Sequence, residues 1–423
     1  MLMLIYRLFV WLYPLIARII SVGNAKARLW VSGRKKLFER LSSAFYKNPH
    51  PVIWIHCSSL GEFEQGLPVL EGMKTSYPGH KILLSFFSPS GYEVRKNYQG
   101  ADHIFYLPMD SPRNAGRFLD IVQPSLVVFI KYEFWYYYLK EIRDREIPLL
   151  LVSGIFREEQ PFFKWYGYLH RKMLAAFTCL LVQNAASASL LSSIGLKEKV
   201  VISGDTRFDR VITIRNRFEP IPLIGQFCEG HPTIVAGSTW TEDDEELDHF
   251  ANTHPETRWI IAPHAIEAER LEECLRLYKN SILYSAYRHA VENGTFIPDR
   301  INVLIIDNMG MLSRLYHYAT IGYIGGGFGD DGIHNILEAA VYRIPVIFGP
   351  VYDKYAEAEE MIDCGGAFVI EDALELEEQL QQLLQQKDLY HKAASAAGDY
   401  VQSKAGATEK VLGYIQENRL LTS

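Results

Sequence analysis

From Pro51 to Phe348 the chain alternates short apolar runs with longer helical stretches, and this rhythm constrains the fold more than any other feature. The first series is Val52 to His56, Ile82 to Phe87, Leu126 to Ile130, Leu149 to Val152, Leu180 to Val182 and Val200 to Ile202. A second begins at Thr233 to Ala236 and continues through Trp259 to Ala262, Val303 to Ile306, Ile321 to Ile324 and Pro345 to Phe348. Strands covered on both faces need no polar alternation, and a strand followed by a helix returns parallel to itself. The pattern therefore predicts crossover units on mostly parallel sheets, an α/β fold.

The length of 423 residues fits two domains at roughly 100–200 residues each. Ile212 to Pro232 carries Pro220, Pro222, Gly225, Gly230 and Pro232 and reads as the break between the two series. The expected organisation is a basic membrane-anchoring segment over 1–47, a Rossmann-like domain over 48–212, a linker over 213–232 and a second Rossmann-like domain over 233–423. Two doubly wound domains facing each other across a central cleft is the simplest architecture, with ligands at the carboxyl ends of the strands. Glu371 to Ala397 reads as surface helix, with Leu376, Leu380, Leu383 and Leu384 on one stripe.

The composition, 48% apolar and 22% charged, is that of a globular protein and excludes disordered and collagen-like classes. The net charge of −7 disfavours nucleic acid as a partner. That figure hides a split, because residues 1–47 hold nine Lys or Arg against Glu39 alone, net +8, which leaves −15 for the rest. Cys57, Cys179, Cys228, Cys274 and Cys364 are odd in number and widely spaced, which predicts reduced thiols and no zinc ribbon.

Leu2 to Val22 is apolar apart from Arg7, Arg18 and Ser21, and it contains Pro14. Its longest uncharged run between the arginines, Leu8 to Ala17, is half of the ~20 residues that a spanning helix needs. Lys26, Arg28, Arg34, Lys35, Lys36 and Arg40 follow, and Trp11, Tyr13 and Trp30 supply interfacial aromatics. The pattern suits a helix lying in an anionic membrane surface. A helix packed on the protein body and a single span with a snorkelling Arg7 are the other two readings; for a span, charge bias keeps the body on the cytoplasmic side.

There is no P-loop, no His-Glu-x-x-His, no Gly-x-Ser-x-Gly and no Asp-x-Asp, so phosphate-loop, zincin, hydrolase and metal-clamped transferase chemistries lack motif support. Gly327, Gly329 and Gly332 match Gly-x-Gly-x-x-Gly, but out of phase with the strand, since the glycine directly after it is Gly325. The loop better fits delivery of a helix N-terminus starting near His334 and Asn335, with Glu338 on the same helical face, toward an anion such as a nucleotide phosphate. Glu338 reads equally as a ribose acceptor or a helix-capping acid. Gly237-Ser238-Thr239 closes another strand and reads either as a phosphate approach or as an N-cap at Thr239. Arg207 reads as a phosphate ligand or as the partner of a neighbouring Asp. Glu62, on the turn from a strand into a helix, is placed to take a proton from a hydroxyl, and Glu133 is a second acid at a strand end of the same domain. For either acid the alternative is a capping or surface role.

Taken together these residues resemble the 3-deoxy-D-manno-octulosonate (Kdo) transferases of lipopolysaccharide biosynthesis, over nearly the whole chain. That family's His-x-x-Ser-x-Gly-Glu is present as His56, Ser59, Gly61 and Glu62, and its Glu-Leu-Trp as Glu133-Phe134-Trp135. Its Gly-x-x-Lys-Phe-Asp is similar to Gly204 through Asp209, its Gly-Ser-Thr to Gly237-Ser238-Thr239, and its final block to Gly325-Gly326, His334-Asn335, Glu338 and Gly349-Pro350. The resemblance implies a GT-B glycosyltransferase, independent of metal and without a cofactor. By that resemblance it would move Kdo from CMP-Kdo to a lipid A precursor at the cytoplasmic face of the inner membrane. It implies Glu62 as the general base of an inverting reaction, with Glu133 beside it, and His56, Ser59 and Gly61 toward the acceptor. Arg207, Gly237, Ser238, Thr239, His264, Gly325, Gly326, His334, Asn335 and Glu338 would face the donor, fixed donors of hydrogen bonds standing in for a metal. The chain departs from the family at Tyr136-Tyr137, at Ser153 through Arg157, at Pro263-His264-Ala265 and at Ile333. Another GT-B transferase or an epimerase using a UDP-sugar, and a membrane-bound scaffold without activity, are the competing readings.

Overall fold

The computed structural model describes residues 2–131, 133–295 and 298–421. The chain forms two compact units, Met1–Arg210 with Ala405–Ser423, and Val211–Lys404.

The first unit opens with three helices, α1 (Leu2–Ile20), α2 (Ala25–Gly33) and α3 (Leu37–Ala44). Its sheet has seven parallel strands: β1 (Val52–Cys57), β2 (Lys81–Phe86), β3 (His103–Tyr106), β4 (Pro124–Ile130), β5 (Leu149–Gly154), β6 (Cys179–Val182) and β7 (Val200–Ile202). They lie in the order β3-β2-β1-β4-β5-β6-β7. The two-residue period of the strands divides the core. Trp54 and Phe129 pack with Phe118 and Tyr138 on one face, while Ile53, Ile55, Val128 and Ile130 meet Phe63, Leu67 and Leu70 of α4 (Leu60–Ser76) on the other.

The helix Ala407–Glu417 also belongs to this second layer, through Val411 and Ile415. Its first turn is tied down by Asp209, whose carboxylate accepts the amides of Gly406 (2.7 Å) and Thr408 (2.6 Å). The expectation that the tail to residue 423 lies with the second domain is corrected accordingly. Its apolar stripe is completed by α4, a partner more than 300 residues away in sequence. The expected linker 213–232 is likewise part of the second unit and contains the helix Pro222–Cys228.

The α1 helix docks by one stripe. Met3, Tyr6, Val10, Tyr13 and Ala17, at spacings of three and four, face the first unit. Tyr6 donates to Asp110 Oδ2 (2.5 Å), which also accepts the amide of Tyr137 (2.9 Å), and Arg7 Nε donates to the Tyr137 hydroxyl (3.1 Å). Leu4, Ile5, Leu8, Trp11, Ile16 and Ile19 remain exposed. The helix is thus packed on the body along one side and bare and apolar along the rest.

The second unit repeats the plan with β8 (Thr233–Thr239), β9 (Arg258–Pro263), β10 (Ser281–Leu283), β11 (Val303–Ile305), β12 (Ile321–Ile324), β13 (Val346–Phe348) and β14 (Ala367–Val369), ordered β10-β11-β9-β8-β12-β13-β14. All pairs are parallel. The stretch expected as one helix over Glu371 to Ala397 is two, Ala373–Gln385 and Lys387–Ser403, broken at Gln386 where ψ is 89°. Leu376, Leu380 and Leu383 are buried as the stripe requires, and Leu384 packs against the same cluster.

The strand order reverses between β1 and β4 in the first sheet and between β8 and β12 in the second, where β10 and β11 are also exchanged at the edge. Helices leave in opposite directions from such a pair, which opens a crevice beyond the carboxyl ends of those strands. The candidate residues cluster at these two points.

Candidate active site

At the first switch point β1 ends in His56-Cys57 and runs through Ser58-Ser59 into α4. His56 is fully buried, with Nδ1 2.8 Å from Ser85 Oγ and Nε2 3.3 Å from Glu133 Oε2. The Trp54 indole N–H, a donor only, bonds Ser85 Oγ at 2.7 Å. The Glu133 carboxylate can only accept, so the ring turns an N–H at Nε2 toward it, while Nδ1 lies against the Ser85 hydroxyl and carbonyl (3.2 Å). Glu133, three residues past β4, also accepts from the Trp135 indole and the Ser58 hydroxyl. Burial alone would raise its carboxyl, but the bonds from His56, Ser58 and Trp135 outweigh it and hold the group below the ordinary carboxylate range. Glu133 is thus a fixed anion that pins the β1 and β4 loops to each other.

Glu62 is the third residue of α4, and its Oε2 accepts the amide of Ser59 (3.1 Å) and the Ser59 hydroxyl. This is a capping box. The capping alternative for Glu62 is therefore realised in this structure. Both bonds use Oε2, and no partner is found for Oε1 among the described residues. Gly61 is exposed, with no atom closer than 3.9 Å to where a Cβ would stand, so its lack of a side chain answers no packing demand within the protein.

Arg207, in the first turn of the helix Thr206–Asn216, pairs with Asp205: its Nε lies 2.7 Å from Asp205 Oδ2 and its amide 2.9 Å from Oδ1. Gln65 of α4 donates to the same carboxylate at 2.8 Å. The ion-pair alternative for Arg207 is the arrangement observed.

The second switch point is built on close packing. A Cβ on Gly325 would stand 2.4 Å from the Ser238 carbonyl oxygen, and one on Gly237 would stand 2.1 Å from the Tyr316 hydroxyl. Gly325 thus lets the loop after β12 close on β8, and Gly237 lets β8 close on Leu312 and Tyr316. Gly326 has φ +92° and donates its amide to Asp243 Oδ2 at 2.8 Å. Asp243 also accepts the amide of Trp240 (2.9 Å) and the hydroxyl of Tyr323 (2.9 Å). Burial pushes its carboxyl up to about 6. Thr239 is fully buried at the end of β8, and the residue that caps the helix Thr241–Thr253 is Trp240, so the expected cap at Thr239 is corrected. Ser238 is held at φ +57°.

Trp240, His264 and His334 form a continuous stack. The Trp240 and His264 rings lie 4.4 Å apart at 21°, and the His264 and His334 rings 4.7 Å apart at 21°. The Trp240 indole donates to His334 Nε2 at 3.3 Å. Burial, with the adjacent His264, holds His334 below the usual imidazole range, so it accepts this bond as a neutral ring. The helix expected to start near His334 is a single turn, Leu337–Ala340, which leaves His334 and Asn335 in the loop before it. His334 is fixed instead by its amide bond to the Gly325 carbonyl (3.1 Å). Asn335 Nδ2 still reaches Glu338 Oε1 (3.2 Å), so the amide and the carboxylate share one place.

The structure thus brings His56, Ser59, Gly61, Glu62 and Glu133 to the first switch point. Gly237, Ser238, Thr239, Gly325, Gly326 and His334 meet at the second, with His264 stacked on His334 and Asn335 beside Glu338. Ser58, Ser85, Trp240 and Asp243 escape the sequence reading, which names Trp135 only as part of the Glu133-Phe134-Trp135 motif. For Asp243 a signal was present, an acid three residues into a helix that follows a strand.

Residues 35–210 match the family model described as 3-deoxy-D-manno-octulosonic-acid transferase (kdotransferase). A protein of Aquifex aeolicus named 3-deoxy-D-manno-octulosonic acid transferase is 28% identical, over 81% of this chain and 88% of that protein. One of the same name from Haemophilus influenzae is 25% identical over 95% of both. A bifunctional glycosyltransferase/methyltransferase of Fusobacterium nucleatum is 26% identical; the match takes in 90% of this chain and 58% of that longer protein. Among solved structures, UDP-GlcNAc 2-epimerase of Neisseria meningitidis has a TM-score of 0.62 at 14% identity, covering 87% of this chain and all of that one. MurG of Acinetobacter baumannii has a TM-score of 0.51 at 13% identity, with the same coverage. These likenesses establish the GT-B type of fold, two Rossmann-like units each with a parallel sheet. With the order of motifs and the relatives' names in agreement, the chain is similar over most of its length to the 3-deoxy-D-manno-octulosonic acid (Kdo) transferases, whose family model it matches over residues 35–210.

Proposed function

We propose that this protein transfers Kdo from CMP-Kdo to a lipid A precursor in lipopolysaccharide synthesis, at the cytoplasmic side of the inner membrane. The observation that carries the reading is the pair of acids at the β1/β4 switch point, inside the segment matched by the Kdo transferase family. Glu133 is committed to three donors and keeps its negative charge, so it serves as the fixed anion of the site. Glu62 is the base: its Oε1 takes the proton of the acceptor's primary hydroxyl while Oε2 stays on Ser59. The hydroxyl oxygen bonds to the anomeric carbon of Kdo, the bond from that carbon to the phosphate oxygen breaks, and CMP leaves with the electron pair. The configuration at carbon inverts.

In the second unit, Ser238, His334 and the loop from Gly325 supply the donors for the single phosphate of the nucleotide, and Glu338, oriented by Asn335, accepts from its ribose. Thr239 and His264 frame that site. The exposed apolar stripe of α1 and the basic residues after it hold the protein against an anionic membrane surface.

The test is release of CMP from CMP-Kdo by the detergent-solubilised protein, with and without a tetraacylated lipid A precursor. Release that depends on the acceptor supports the reading. Equal release in both cases contradicts it, as does a turnover seen only with a UDP-sugar.

A further inference from the structure

Between α1 and α2 runs an apolar groove of about 540 Å³, within the range of about 300–1,000 Å³ that ligand sites occupy. Phe9, Tyr13 and Ile16 line one wall, Ala27 and Trp30 the other, and Phe87 closes it at the end of β2. The rings of Tyr13, Trp30 and Phe87 touch one another, with centroids 5.1–5.9 Å apart.

Two observations say what the groove is for. The first is continuity with the acids. Phe87 packs against Trp135, with ring centroids 4.6 Å apart and planes tilted by 37°, and the Trp135 indole bonds Glu133. The groove residue Ser88 donates its amide to the Ser58 carbonyl (2.8 Å) in the loop that leads to Glu62. The second is the surface around it. The outer stripe of α1 is bare and apolar, with Leu4, Trp11 and Ile19 more than 60% exposed, while Lys26 lines the groove and residues 1–47 carry net +8. An occupant must therefore be an amphiphile with an apolar chain and anionic groups, and its polar part must end at Glu62 and Glu133.

We propose that this groove holds one acyl chain of the phosphorylated glycolipid acceptor, so that α1 and α2 form part of the acceptor site as well as a membrane contact. The proposal rests on the transfer reaction proposed above. It makes Phe87 a shared wall between the chain and the Trp135–Glu133 pair, so that a seated chain supports the residue that orients the acid.

The experiment uses the full chain in phosphatidylcholine nanodiscs and a tetraacylated acceptor carrying a diazirine at the end of one acyl chain. After irradiation, label is expected on residues 9–30 and 87–89. Unlabelled acceptor should compete with it, and phosphatidylglycerol should not. Ala27→Trp, which fills the groove, should lower labelling by about tenfold and raise KM for the acylated acceptor by the same factor relative to a deacylated one. Ile16→Asp, at a half-exposed position, should do the same, and keeps the test intact should the larger side chain prevent folding. Val22→Trp, exposed and outside the groove, should label as the native protein does. Label outside residues 9–30 and 87–89, competition by phosphatidylglycerol equal to that by acceptor, or native labelling of both groove variants would overturn the proposal. Labelling and competition as expected, but with no transfer of Kdo by the native protein, would uphold the groove and defeat the transfer reading.

Discussion

His56 Nε2 stands 3.3 Å from Glu133 Oε2 and joins the penultimate residue of β1 to the first described acid beyond β4, across the switch point of the first sheet. Because Glu133 is held below the ordinary carboxylate range, its ionised form stabilises the fold. That contribution is present above the unfolded value near ~4.3 and is lost as pH falls through the lower folded value. Thermal unfolding of native protein and Glu133→Gln across pH 2 to 7 should show the variant less stable above about pH 4.5, with the two curves converging toward acid. A gap that is constant with pH would contradict this assignment.

Glu62→Gln separates capping from catalysis. Glutamine at the third helical position still accepts the Ser59 amide, so unfolding should change by less than about 1 kcal/mol. It takes no proton, so kcat should fall at least about a hundredfold. Loss of stability in proportion to activity would make Glu62 a cap alone.

Asp243 behaves oppositely to Glu133. Its carboxyl is pushed up to about 6 by burial, so the protonated form is favoured in the fold. The resulting stability is complete below about pH 4 and is lost as pH rises through about 6, on the order of 2–3 kcal/mol in all. Asparagine can accept the amides of Trp240 and Gly326 without this titration. The urea midpoint of native protein minus that of Asp243→Asn should therefore decline from pH 4 to 6 and then level. Parallel midpoints would count against it.

Two glycines should respond with opposite signs. Gly325→Ala forces a methyl to within 2.4 Å of the Ser238 carbonyl and should cost about 1–3 kcal/mol. Gly413 lies within the helix Ala407–Glu417 with no atom within 4 Å of a Cβ, and Gly413→Ala should gain about 0.5–1 kcal/mol. Urea unfolding of both variants checks the pair.

The central strands were legible because each is buried on both faces and so reads as an unbroken apolar run. The three strands without such a run, β3, β10 and β14, are all edge strands and only partly buried. Their sequences carry little of the signal that betrays β4. The same logic governs the site. Glu62 and Glu133 were visible because each follows a strand closely. Asp243 sits in Thr241-Glu242-Asp243-Asp244-Glu245-Glu246, which reads as a solvated acidic face, and only its bonds to Gly326 and Tyr323, more than 75 residues on, make it a core residue. The tail helix hides its place for a related reason. Its apolar stripe fits any exposed face, and the Asp209 clamp that selects one is a tertiary contact.

The most direct measurement is the mass of a tetraacylated lipid A precursor after incubation with solubilised protein, CMP-Kdo and EDTA, with Glu62→Gln alongside. The account predicts a gain of one or more Kdo masses with native protein and none with the variant. No gain with native protein, or an equal gain with Glu62→Gln, would contradict it.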